Sequence, residues 1–110
     1  MTEEEIRETI NNNTVDWNRI IWYQTLSEEF IREFQDRVNW SDISFKQTLS
    51  EEFIKEFKDK VYWKWISFCQ TLSEEFILEF IDKVELKTIL EKYSDSLSEE
   101  ALIIIRLYTI

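Results

Sequence analysis

The string QTLSEEFI opens at Gln24, at Gln47 and again at Gln70, a spacing of 23 residues each time. Residues 24–46 match 47–69 at 16 of 23 positions, and 47–69 match 70–92 at 15 of 23. A unit this short cannot bury its own apolar face, so its stability must come from stacking on its neighbours. The chain therefore reads as one repeat domain, 1–110, with a degenerate N-terminal unit 1–23, repeats 24–46, 47–69 and 70–92, and a C-terminal partial unit 93–110. Val15, Trp17 and Ile20 keep register with Val38, Trp40 and Ile43. Downstream, Leu86 replaces the repeat tryptophan, and Leu97-Ser98-Glu99-Glu100 restarts the motif two residues late.

Within a unit, Ser27 is placed as an N-cap whose hydroxyl accepts an unpaired backbone N–H. Leu26 and Ile31 have the spacing of a hydrophobic staple, and Glu28 and Glu29 lie where the helix dipole favours negative charge. Apolar residues at 30, 31, 34 and 38 share one face, which predicts a helix over about 28–38. The segment 40–47, with Trp40, Ile43 and Phe45, predicts a short α or 3₁₀ helix. A strand there would give an α/β solenoid, but sustained alternation is missing. Gly and Pro are both absent from the 110 residues, which also favours helices joined by polar turns. The expected fold is all-α: a short α-solenoid of about four and a half helical units ending in an apolar helix.

The unit W-x-x-I-S-x-x-Q-x-L-S-E-E-F-I-x-E-F-x-D-K-V, carried most fully by 40–61 and 63–84, resembles tandem repeats of similar length in proteins of large DNA viruses. Its layout is also similar to the leucine-rich variant repeat, in which α and 3₁₀ helices alternate in a right-handed superhelix. The first resemblance implies a viral or mobile-element origin and a role in recognition. Neither implies a catalytic residue.

Composition narrows the chemistry. Histidine is absent and Cys69 is the single cysteine, so the commonest general base and metal ligand are missing and an internal disulfide is impossible. Cys69 reads as a small hydrophobe. No EF-hand loop is present, and carboxylates repeated on an exposed face do not form a paired acid–base site. These features predict a non-enzymatic protein with no cofactor and no metal. No apolar run approaches the roughly 20 residues needed to cross a bilayer, and the acidic N-terminus is unlike a signal peptide. The expectation is a cytoplasmic protein, in the host cell's cytoplasm if viral, that engages neither membrane nor nucleic acid directly.

Three constellations carry the functional reading. The first is acidic. Glu29, Glu33 and Asp36 share a helix side, as do Glu52, Glu56 and Asp59, and Glu75, Glu79 and Asp82. Stacked, these residues form a ladder. It is either a solvated face relieved by i,i+4 partners such as Glu28–Arg32 and Glu56–Lys60, or a nucleic-acid mimic, in the manner of an anti-CRISPR, occupying the phosphate site of a defence or replication protein. The second is the column Trp17, Trp40, Trp63, whose register with Ile20, Ile43 and Ile66 reads as core rather than as a platform for bases. The third lies where the repeat is broken. Leu78 and Ile81 stand where earlier units have Arg32 and Lys55, and Gln35 and Lys58. Trp65 replaces Asp42, and the chain ends in an apolar run containing Ile104, Leu107 and Tyr108. Either the C-terminal helix folds over Leu78 and Ile81, or these residues form a surface for a protein partner. The expected function is protein–protein recognition, as a homodimer.

Overall fold

The structure is a computed structural model that describes residues 1–12 and 15–110; Asn13 and Thr14, inside the expected N-terminal unit, lie outside the described residues. Among the described residues there are nine α-helices and no strand: α1 (Glu3–Asn11), α2 (Trp17–Tyr23), α3 (Glu28–Glu33), α4 (Trp40–Lys46), α5 (Glu51–Glu56), α6 (Trp63–Cys69), α7 (Glu74–Glu79), α8 (Leu86–Tyr93) and α9 (Glu99–Tyr108). They form two columns, the first of α1, α3, α5, α7 and α9 and the second of α2, α4, α6 and α8. Helices α2, α4, α6 and α8 pack one on the next, and α7 packs on α9 in the other column with α1, α3 and α5. The result is a helical repeat rod of 53 × 22 × 19 Å.

Serine caps set the start of each first-column helix. Ser27, Ser50, Ser73 and Ser98 accept the N–H of Phe30, Phe53, Phe76 and Ala101, and Thr2 does the same for Glu5 in a full capping box. One expectation is corrected here and one alternative is resolved. The first helix of each unit ends at Glu33, Glu56 or Glu79, and the next four residues form turns rather than continuing to Val38. In the first two clear units the carbonyls of Gln35 and Lys58 accept the indole N–H of Trp40 and Trp63, which satisfies them without a longer helix. The same break occurs before Leu86, so that bond accompanies the turn but does not cause it. Of the two forms expected for the second element, α and 3₁₀, it is the α-helix.

The core is a file of repeated positions. Phe30, Phe53 and Phe76, with Ile31, Ile54 and Ile77, are essentially inaccessible, as are Ile43, Ile66 and Ile89 of the second column. The tryptophans close the joints between units. Trp17 lies 5.5 Å from the Phe34 ring, Trp40 5.0 Å from Phe57 and Trp63 5.3 Å from Phe80. They are half-buried core-edge residues whose rings are committed to the next unit, leaving no open stacking platform.

Polar side chains also lock each joint. The carboxylates of Glu3, Glu28, Glu51 and Glu74 each accept two hydrogen bonds, from the backbone N–H and the hydroxyl of the next unit's capping serine. The buried Gln47 amide accepts from Leu26 N–H and donates to the Ile21 and Gln24 carbonyls; Gln70 repeats this with Leu49, Ser44 and Gln47. One unit later Tyr93 takes the position. Its hydroxyl accepts from Leu72 N–H and donates to the Gln70 carbonyl, while Lys92 covers the Ser67 carbonyl. Buried Ser44 and Ser67 accept the N–H of Tyr62 and Glu85, which lead α6 and α8, the two helices without a side-chain cap.

Candidate functional site

Four of the nine ladder carboxylates form joints between units. Glu33 pairs with Arg7 at 2.8 Å, Glu56 with Arg32 at 2.9 Å, Glu79 with Lys55 at 3.1 Å and Asp36 with Lys60 at 3.4 Å. Each pair joins successive units, in place of the i,i+4 partners expected within one helix. The early helix ends remove several of those partners, since Arg37 and Lys60 no longer lie on a helix. Arg7 and Arg32 also rest over the rings of Phe30 and Phe53, at 5.2 and 5.4 Å. Glu29, Glu52, Asp59, Glu75 and Asp82 remain exposed and outside these pairs.

The guanidinium of Arg7 lowers the Glu33 pKa below the usual carboxylate value. A lowered folded-state pKa adds stability above the unfolded-state pKa, which disappears as pH falls through the folded-state one. The stability difference between the parent and Glu33→Gln should therefore hold from neutral pH down to the ordinary carboxylate range and vanish below it. Urea titrations at stepped pH measure it, and a difference that persists in stronger acid would contradict the pairing. Exposed pairs of this kind contribute little.

The apolar positions singled out from the sequence fall in two places. Leu78 on α7 and Ile81 in the turn after it are partly buried against the core, and α9 packs on α7, so they do not point away from the stack. Register explains their change of type. The joint pairs Arg7–Glu33, Arg32–Glu56 and Lys55–Glu79 continue, position for position, as Leu78 and Ile104. At this register both positions are apolar where earlier units carry a cation and an acid. Ile103, Ile104, Leu107 and Tyr108 are exposed on α9, and Ile110 is exposed just beyond its end.

Trp65 belongs to a different cluster, on the outer side of the second column. Trp22 lies 5.6 Å from Phe45, Phe45 4.9 Å from Trp65, and Trp65 6.4 Å from Phe68. Trp22 and Phe68, at the ends of this ribbon, are 43% and 62% exposed. Lys46 sits over the Trp22 ring at 4.5 Å and Lys64 over Trp65 at 5.3 Å. Sequence reading found Trp65 alone. Trp22, Phe45 and Phe68 occupy one repeat position at the 23-residue spacing, and that recurrence was the available signal. Cys69 lies beside the ribbon's end, and burial raises its thiol pKa, against a smaller opposing effect of Lys92.

No protein-family model, curated protein or solved structure matches the chain. Among the described residues, no helix is long and apolar enough to cross a membrane, and no group of His, Cys, Asp or Glu is arranged to hold a metal ion.

Proposed function

We propose that this chain is a non-enzymatic protein–protein interaction module, of viral or mobile-element type, acting in the cytoplasm of the host cell. In this reading it associates with a second copy through the exposed end of α9. The observation that carries the proposal is the register of Ile103. It occupies the position of Arg7, Arg32, Lys55 and Leu78, the residue that in each preceding unit faces the next helix of its column. Among the described residues no helix packs over Ile103, and with Leu107 and Ile110 it forms an exposed apolar stripe. Burying side chains of this size is worth about 1.5–3 kcal/mol each.

The N-terminal end of another copy does not suit this stripe, because it offers Glu8 at the position that Ile104 fills on α9. A second α9 does suit it. Sedimentation velocity tests the reading: the parent should run as a dimer and Ile103→Glu with Leu107→Glu as a monomer. A monomeric parent at high concentration, or a dimer that survives both changes, would overturn self-association through α9.

A second reading is supported by the charge that the joints leave over. Glu29, Glu52 and Glu75 recur as exposed carboxylates, as expected of an acidic inhibitor that occupies a nucleic-acid site. Binding of that kind should weaken steeply with salt, whereas apolar docking through α9 should not.

A further inference from the structure

We infer that the aromatic ribbon Trp22–Phe45–Trp65–Phe68 is a docking surface for an acidic, apolar-bearing segment of a partner protein. The inference rests on the protein-recognition reading above but uses a separate face from α9. Its first support is continuity. Four rings from α2, α4 and α6 touch in sequence along the rod, and large aromatic surface left in water on a small chain marks contact sites.

The second support is charge, which is sharply divided between the columns. The chain holds 13 cations and 23 acids. The second-column helices carry five of the cations (Arg19, Lys46, Lys64, Lys87 and Lys92) and only two acids, Asp42 and Glu91. The rest of the chain is left with eight cations against 21 acids. Two of the five cations lie directly over ribbon rings. Lys92 bonds to the carbonyl of Phe68 at 3.2 Å, at the ribbon's far end. A protein with a net charge of −10 thus offers an aromatic face bordered by positive charge. Complementarity selects a ligand that is acidic and apolar together: carboxylates for Lys46 and Lys64, with aliphatic or aromatic side chains on the rings.

A single nucleic-acid strand suits the face less well. The rings are packed on one another, so bases find no open slots between them. A polyanion would also meet the repulsion of the remaining charge.

A random-peptide display library selected on the full-length protein tests the inference, with Lys46→Glu/Lys64→Glu as the counter-selected variant. Enriched peptides should be acidic and rich in aliphatic or aromatic residues. Synthesised singly and titrated against tryptophan fluorescence, they should bind the parent at least about tenfold more tightly than that variant and weaken with added salt. Trp22→Gln with Phe68→Gln should weaken them likewise. Both ring positions are exposed, so folding should be retained, and the lysine variant carries the test if it is not. Enrichment of neutral or basic peptides, equal binding to the variants, or an oligo-dT probe engaging these rings more tightly than the peptides would each overturn the inference. A parent oligomer dispersed by the ribbon variants would do the same, assigning the face to a second copy. Loss of the α9 dimer alone would leave it standing.

Discussion

Gln70→Leu should lower the stability of the protein by about 3 kcal/mol or more, although leucine nearly preserves the volume. The Gln70 amide is buried and serves three backbone groups of the preceding unit: the N–H of Leu49 and the carbonyls of Ser44 and Gln47. Leucine removes the partner and leaves those groups in the interior. Each unpaired buried group costs roughly 1–3 kcal/mol. For a domain of this size, about 3 kcal/mol corresponds to a fall of about 12 °C in the melting midpoint. Thermal and urea unfolding followed by circular dichroism measure it. A variant melting within a degree or two of the parent would mean that water reaches these groups and that the buried lock is not a source of stability.

Phe53→Ala should be at least as damaging, at about 3–5 kcal/mol. The Phe53 ring is fully inaccessible. It is packed against Phe57 at 4.7 Å, against Trp40 of the preceding unit at 6.1 Å, and beneath the Arg32 guanidinium at 5.4 Å. Truncation opens a void where two units meet, at the middle of the rod. A loss below about 1 kcal/mol would indicate that the joint collapses around the smaller side chain.

Much of the fold was legible because the repeat displays its own controls. The serine caps, the Leu26–Ile31 staple and the buried isoleucines all follow from positions that recur together. What could not be read from one unit was anything that passes between units. Glu28 looks like a dipole-stabilising residue at a helix start, yet its carboxylate holds Ser50. Gln47 and Gln70 recur as plainly as the core residues, but a buried amide makes sense only once the preceding unit's backbone lies against it. The charged pairs were expected four residues apart because that is the spacing within a helix; the stack offers each side chain a nearer partner in the adjoining unit.

The opening segment escaped notice for a related reason. Thr2-Glu3-Glu4-Glu5-Ile6-Arg7 is the Ser27-Glu28-Glu29-Phe30-Ile31-Arg32 motif with a glutamate in place of the phenylalanine, at a spacing of 25 rather than 23. Its role shows in three dimensions, where Ile6 is buried, Glu3 clamps Ser27 and Arg7 pairs with Glu33. In the candidate sites, the sequence left open whether Leu78 and Ile81 are covered within the chain or form a surface, because a charged residue replaced by an apolar one suits either. The covering residues on α9 lie more than twenty positions further along the chain.

The pairing of Arg32 with Glu56 and of Lys55 with Glu79 has an evolutionary consequence. An interior unit offers a cation toward one neighbour and an acid toward the other, so a duplicated copy of 47–69 inserted beside its parent meets compatible groups on both sides. The array can lengthen by unequal copying without any compensating change. The Leu78–Ile104 joint breaks that rule, since a further interior unit placed there would set Glu against Leu78. Growth by duplication is open at the charged joints of the rod and opposed at the Leu78–Ile104 register, where apolar residues replace the cation and the acid.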